Sequence, residues 1–165
     1  TYKDYQAKPQ NWAIVQDLRG VIYVANTDGV LEFDGMRWRL VKIANGSTAR
    51  SLALAQDGRV YVGGVGEIGY LQMNHLGTTE YVSLVDNIPK QFRDFADVWQ
   101  IYTTSKGLVF STFKRIFRLN EEGGFDMILR SESIVVSGFS LDVTADVTAR
   151  LNEKIAGLAS NNPRQ

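Results

Sequence analysis

The chain has 165 residues, 44% of them hydrophobic and 22% charged, a composition that fits one folded domain and excludes a disordered segment. Lys plus Arg and Asp plus Glu number 18 each, so no net charge draws the chain to nucleic acid or to an acidic membrane surface. The absence of cysteine excludes disulfides and thiolate zinc sites, and no apolar run is long enough to span a bilayer. The sequence opens on Thr1 with no leader, which reads as a processed chain or an excised segment.

After a lead-in over residues 1–10, polar turns alternate with short β-rich runs. In the first unit, residues 11–45, Trp12–Val15 reads as a strand and Asp17-Leu18-Arg19-Gly20 as a turn. Val21–Ala25 is rich in β-branched and aromatic residues, Asn26-Thr27-Asp28-Gly29 breaks it, and Val30–Phe33 follows. Asp34-Gly35 is a hairpin signal, because a type I′ turn needs positive φ at both central positions, and Trp38–Ile43 closes a four-strand unit. The second unit, residues 46–86, repeats the order with Ser51–Ala55, the turn Asp57-Gly58, Val60–Gly63, the break Gly64–Glu67, Ile68–Met73 and Glu80–Val85. The third, residues 87–133, has Val98–Tyr102, Lys106-Gly107, Leu108–Thr112, Arg115–Leu119 and Phe125–Leu129.

Tyr23, Tyr61 and Phe110 are taken as equivalent, at gaps of 38 and 49 residues, with the extra length in an inter-unit loop over Asp86–Phe95. Tyr23 precedes Val30 by seven residues and Tyr61 precedes Ile68 by seven, whereas the third copy is one residue shorter there. Four short antiparallel strands recurring at about 40 residues fit a β-propeller blade. A β-sandwich with evenly spaced strands is the alternative. The fold expected is therefore all-β: a partial or self-assembling β-propeller of three four-stranded blades, plus a C-terminal helix. That helix is placed at about 141–160 within a non-repeat segment, 134–165, where Val143, Val147, Leu151, Ile155 and Leu158 form one stripe and Asp142 is a candidate N-cap.

The segments NWAIVQDLRGVIYVANTDGVLEFDG, from Asn11 to Gly35, and RSLALAQDGRVYVGGVGEIGYL, from Arg50 to Leu71, resemble the two-component regulator propeller repeat. The resemblance covers roughly residues 10–130. It implies the N-terminal part of an extracytoplasmic sensor, periplasmic or extracellular, of a kind that precedes a membrane helix and an intracellular output domain. The sequence holds three repeats, against the four to eight blades of a closed ring, and carries no output domain.

On a propeller, the loops joining second to third strands share a face with the loops joining blades, and a ligand is expected there. Asn26, Asp28, Glu67, Lys114 and Arg115 are the candidate ligand-binding residues; the competing reading makes them ordinary turn and surface residues. Asp17, Asp28, Asp34 and Asp57 read as turn formers, three of them before Gly, with no calcium-loop spacing. The single histidine, His75, reads as a solvated loop residue, and no metal site or cofactor is expected. Gly63-Gly64-Val65-Gly66 lacks the Lys-Ser/Thr and the helix of a phosphate loop. Trp12, Trp38 and Trp99 read as packing residues, with sugar stacking the competing role. Lys114 and Arg115 are too small a basic cluster for nucleic acid. Asn45-Gly46-Ser47 matches a glycosylation acceptor, which a bacterial source would make irrelevant.

The function expected is a non-catalytic, ligand-sensing propeller fragment of a bacterial signalling protein. Its partner would be a small molecule, a carbohydrate among the candidates, or a protein. The alternative is an interaction or self-assembly scaffold, a homodimer formed through open blade edges or the C-terminal helix. An enzyme would need convergent acids or a metal, and the sequence offers neither.

Overall fold

Polar turns cut the sequence into runs of β-branched and aromatic residues too short for helices, and each run is a strand. A computed structural model describes residues 5–120 and 122–130 of the protein. The helix expected at about 141–160 lies outside the described residues. Asn11–Gln16 (β1), Ile22–Asn26 (β2), Gly29–Phe33 (β3) and Trp38–Val41 (β4) form the first sheet. Ala49–Leu54 (β5), Val60–Gly64 (β6), Ile68–Met73 (β7) and Thr79–Ser83 (β8) form the second. Val98–Thr104 (β9), Gly107–Thr112 (β10), Arg115–Leu119 (β11) and Phe125–Arg130 (β12) form the third. Each sheet is antiparallel with its strands in chain order, and the twelve strands match the expected runs to within two residues at either end. The described residues are thus all-β in three blade-like sheets, with short 3-10 turns at Val85–Asn87 and Lys90–Phe92 between the second and third.

Because strand side chains alternate, each sheet has two faces, and successive sheets pack in the same sense. Tyr23, Ala25, Val30 and Val41 of the first sheet meet Val60, Val62 and Leu71 of the second. Tyr61 and Ile68, on the opposite face of the second sheet, meet Leu108, Phe110, Phe117, Leu119 and Phe125 of the third. Ile43 joins the first of these cores from the connecting segment, and Ile88 and Phe95 join the second.

The pairing register corrects the alignment of the third copy. Ala13 pairs with Ala25, Ser51 with Gly63 and Gln100 with Ser111, so the residues two places earlier on the second strands, Tyr23, Tyr61 and Val109, are equivalent. Ala25, Gly63 and Ser111 pair in turn with Val30, Ile68 and Ile116 on the third strands. The seven-residue interval therefore holds in all three copies once Val109 replaces Phe110. Phe110 sits at the place of Val24 and Val62 and faces the preceding sheet. Residue type matches this aromatic side chain to the two tyrosines, whereas the backbone register puts it on the other face.

Each first strand also carries one extra residue, at its second position. Pairing skips Trp12 between Asn11 and Ala13, Arg50 between Ala49 and Ser51, and Trp99 between Val98 and Gln100. Such a bulge bends the strand and re-aims the side chain it carries. Next to it the second and third sheets approach closely: the Ser51 hydroxyl donates to the Val98 carbonyl at 2.7 Å. A methyl added to Gly63 would fall on the Ser51 hydroxyl and 2.6 Å from a Val98 methyl. Gly63→Ala is accordingly expected to lower stability by about 1–3 kcal/mol, the usual cost of overpacking a tight core. Urea denaturation measures this directly, and an unchanged midpoint would show that the approach is slack.

Candidate functional site

The three bulged residues meet. Trp12, Arg50 and Trp99 come from β1, β5 and β9, the first strands of the three sheets. The Arg50 guanidinium carbon lies 3.9 Å from the centre of the Trp12 ring and 5.1 Å from that of Trp99, and the two indoles contact edge to face at 6.3 Å. Asp97, one residue before β9, accepts a hydrogen bond from Arg50 Nε at 2.6 Å. Arg50 Nη1 is buried without an acceptor among the described residues. Both indoles remain open to solvent, 37% exposed for Trp12 and 46% for Trp99. The cluster thus offers aromatic surface and a guanidinium whose Nε is satisfied. Trp38, in contrast, stacks on Phe33 at 4.8 Å and contacts Tyr5 at 5.8 Å, away from the first strands.

The five residues expected at a ligand face lie at the ends of the sheets where the connecting segments run, but they do not form one constellation. Asn26 is fully buried, and its Nδ2 donates to the carbonyls of Lys8 (2.7 Å) and Gln10 (3.1 Å) and to Asn11 Oδ1 (2.8 Å). Its Oδ1 accepts the Asp28 N–H at 2.9 Å, so the side chain fastens the lead-in to the β2–β3 turn. Asp28 accepts the Lys8 N–H at 2.9 Å and pairs with the Lys8 ammonium at 3.2 Å, and the backbone hydrogen bond holds its pKa below the usual range. Glu67 is buried, with Oε1 accepting from the Ser83 hydroxyl at 2.9 Å. Arg115 pairs with Asp94 at 2.5 Å, and Lys114 lies 3.9 Å from the same carboxylate. Each of the five has a local partner among the described residues, although Arg115 Nε, like Arg50 Nη1, is buried without an acceptor.

What that end does is join the sheets. The Thr48 hydroxyl donates to the Thr27 carbonyl at 3.1 Å, and the Val65 N–H to the Thr48 carbonyl at 3.1 Å. Asn45 Nδ2 and the Ser47 hydroxyl both reach the Val65 carbonyl, at 2.9 and 3.0 Å. The Gly66 N–H donates to the Ala96 carbonyl at 2.9 Å. A chain of polar contacts therefore runs from the first sheet across both connecting segments.

The hairpin end carries a different device, used twice. Asp17 accepts from the Arg19 and Val21 N–H groups at 2.9 and 3.0 Å, from Arg19 Nη2 at 2.7 Å and from the Tyr23 hydroxyl at 3.3 Å. Burial works against its charge, but these hydrogen bonds outweigh burial and hold its pKa below the usual range. Asp57 likewise accepts from the Arg59 N–H at 3.0 Å and the Tyr61 hydroxyl at 3.2 Å. The two aspartates reach their tyrosines from different turn positions: the turn hydrogen bonds match Asp17 to Ala55 and Arg19 to Asp57, and in the third sheet Thr104 stands at the place of Asp17 and Val109 at that of the tyrosine. Between the first two sheets, Asp17, Arg19, Tyr23, Arg59 and Thr79 help line an open cleft of about 250 Å³. This agrees with the aspartates as turn formers. The Asp-x-Arg spacing in both turns, with a tyrosine on the following strand, is the sequence signal that would have found the device.

No protein-family model and no curated protein matches this chain. One solved structure with a likeness to it is named as the extracellular domain of a hybrid two-component system of B. thetaiotaomicron. The two share 13% identity at a TM-score of 0.40, over 79% of this chain and 22% of that one. The chain thus spans about a fifth of that domain, and a likeness of this size bears on neither ligand nor mechanism.

Glu67 gives this end a pH dependence. Burial raises its pKa, and the hydroxyls of Ser83 and Tyr81 beside the carboxyl offset that only in part. A carboxyl whose folded-state pKa is raised contributes stability that is complete below its unfolded value and is lost as pH climbs through the folded value. Asp17, Asp28 and Asp94 act in the opposite sense, their lowered values contributing stability above the unfolded pKa that is lost on acidification. The loss from Glu67 thus sets in above pH 4.5, its ordinary value. Glu67→Gln is expected to remove that loss and to be the more stable protein at pH 7 by about 1 kcal/mol. Urea midpoints of both proteins between pH 4 and 8 read this out; parallel curves would mean that the side chain is solvated.

Proposed function

We propose that the chain is a ligand-sensing, non-catalytic segment of an extracytoplasmic β-propeller that belongs to a bacterial signal-transduction protein. The observation that carries this reading is the cluster of Trp12, Arg50 and Trp99. Three first strands, each from a different sheet, contribute one bulged residue to one partly exposed patch. First strands line the axis of a propeller, so a molecule held there would touch three blades at once. The repeat resemblance adds the expectation of a sensor placed outside the cytoplasm. The small molecule is sought at the aromatic patch rather than at Asn26, Asp28, Glu67, Lys114 and Arg115, because the patch has open aromatic surface while those residues are engaged by neighbours.

A thermal-shift screen of the chain against small metabolites and sugars tests the reading. A compound that raises the melting temperature of the native protein should lose its effect in the Trp12→Ala/Trp99→Ala double variant and keep it in Trp38→Phe. A screen without a hit, or a hit that ignores the double variant, would count against a sensing role for this patch.

A second reading, an assembly scaffold, draws on the face of the third sheet opposite the second sheet. Val109 and Ile116 occupy the places that Tyr23/Val30 and Tyr61/Ile68 use to contact the next sheet, and they are half-buried there. Light scattering that returns twice the chain mass, and a single mass after Val109→Lys, would favour that reading.

A further inference from the structure

We infer that the patch formed by Trp12, Arg50 and Trp99 selects a flat ring compound that carries one carboxylate. The inference rests on the sensing role proposed for the same patch and specifies its ligand. Two partly exposed indoles alone would suit a cation, since the face of an aromatic ring attracts positive charge. Here that place is taken: the Arg50 guanidinium already lies 3.9 Å from the Trp12 ring and 5.1 Å from Trp99. A second cation is repelled, and the ligand must accept hydrogen bonds.

The guanidinium also sets the geometry. Its Nε is committed to Asp97 at 2.6 Å, which leaves the terminal edge, Nη1 and Nη2. Nη1 is buried and has no acceptor among the described residues, so an incoming acceptor reaches it only as the side chains around it part. A planar carboxylate matches two parallel N–H groups on one guanidinium edge. The Asp97 carboxylate beside it disfavours a doubly charged phosphate and leaves a monoanion as the best fit. The exposed parts of the two indoles then take the apolar face of the ring that bears the carboxylate.

The bulges are what make this a built site. Without the extra residue in β1, β5 and β9, pleating would fix these side chains to the sheet faces that pack against neighbouring sheets. All three sheets carry the bulge at the same place, and all three bulged side chains enter the cluster.

Titration of the chain with benzoate, followed by tryptophan fluorescence, tests the assignment, with benzyl alcohol as the uncharged counterpart and Trp38→Phe to remove the third indole. Benzoate should give a saturable change that persists in Trp38→Phe, weakens about tenfold or more in Arg50→Gln, and is absent with benzyl alcohol. Circular dichroism and the urea midpoint establish whether Arg50→Gln is folded. If it is not, Trp99→Leu, at the exposed rim, serves in its place and should also abolish the change. Equal binding of benzoate and benzyl alcohol, or benzoate binding that survives both variants, overturns the inference. So does a neutral sugar that binds and is lost in the Trp12→Ala/Trp99→Ala variant, but that outcome leaves the sensing role standing. Only the absence of any ligand at the patch removes both.

Discussion

One extra residue near the start of each first strand determines how the three sheets come together. A regular strand would spend every side chain on one of its two sheet faces, and both faces of the middle sheet are consumed by packing against its neighbours. The bulge releases one side chain per sheet from that alternation. Those three side chains then make the contact that none of the sheet faces makes: Trp12 of the first sheet reaches Trp99 of the third, with Arg50 of the second between them. The Arg50–Asp97 ion pair and the Ser51–Val98 hydrogen bond sit beside it. The middle sheet is thereby tied to the third by the same residues that carry the cluster.

The two ends of the sheets are then free for separate roles. At the hairpin end, turns need only to reverse the chain, and Asp17 and Asp57 do so while holding a tyrosine hydroxyl from the following strand. At the other end, the connecting segments must reach from the fourth strand of one sheet to the first of the next, and Asn45, Ser47, Thr48 and Ala96 bond to the β2–β3 and β6–β7 turns there. A loop-borne ligand site is the ordinary expectation for a scaffold of rigid sheets. Here those loops also join the sheets, because a connecting segment that crosses between sheets has buried backbone groups to satisfy.

This explains which parts of the molecule were legible in the sequence. Strand positions were legible because β-branched and aromatic runs alternate with Asp-Gly and Asn-Gly type turns, a signal local to each hairpin. Register was not. Phe110 looked like the third tyrosine because it is aromatic and close to the expected place, yet face is decided by the pairing that begins at a bulge, and no residue type marks a bulge. Trp12 and Trp99 do meet residues of neighbouring sheets, as packing residues would, but through bulged positions rather than through a sheet face. Asn26 looked like a polar loop residue, whereas its amide is the only side chain at that turn able to hold two carbonyls of the lead-in and the Asp28 N–H together. Glu67 was placed in a loop and is in one, but the loop folds back against Ser83 and takes the carboxyl out of water.

The position of the aromatic patch has a mechanical consequence. A ligand gripped by one loop can shift that loop without disturbing the sheet beneath it. The Trp12, Arg50 and Trp99 side chains leave little such slack, because each springs from a strand hydrogen-bonded along its length to a neighbour in its sheet. Closing the two indoles on a ring, or drawing Arg50 toward an acceptor, pulls on β1, β5 and β9 together. The response open to the molecule is then a change in how the sheets pack, across cores in which Gly63 already leaves no room for a methyl group. A signal generated at this patch would therefore travel as relative movement of whole sheets, and the contacts that resist it are those that the bulged residues share with Asp97, Ser51 and Val98.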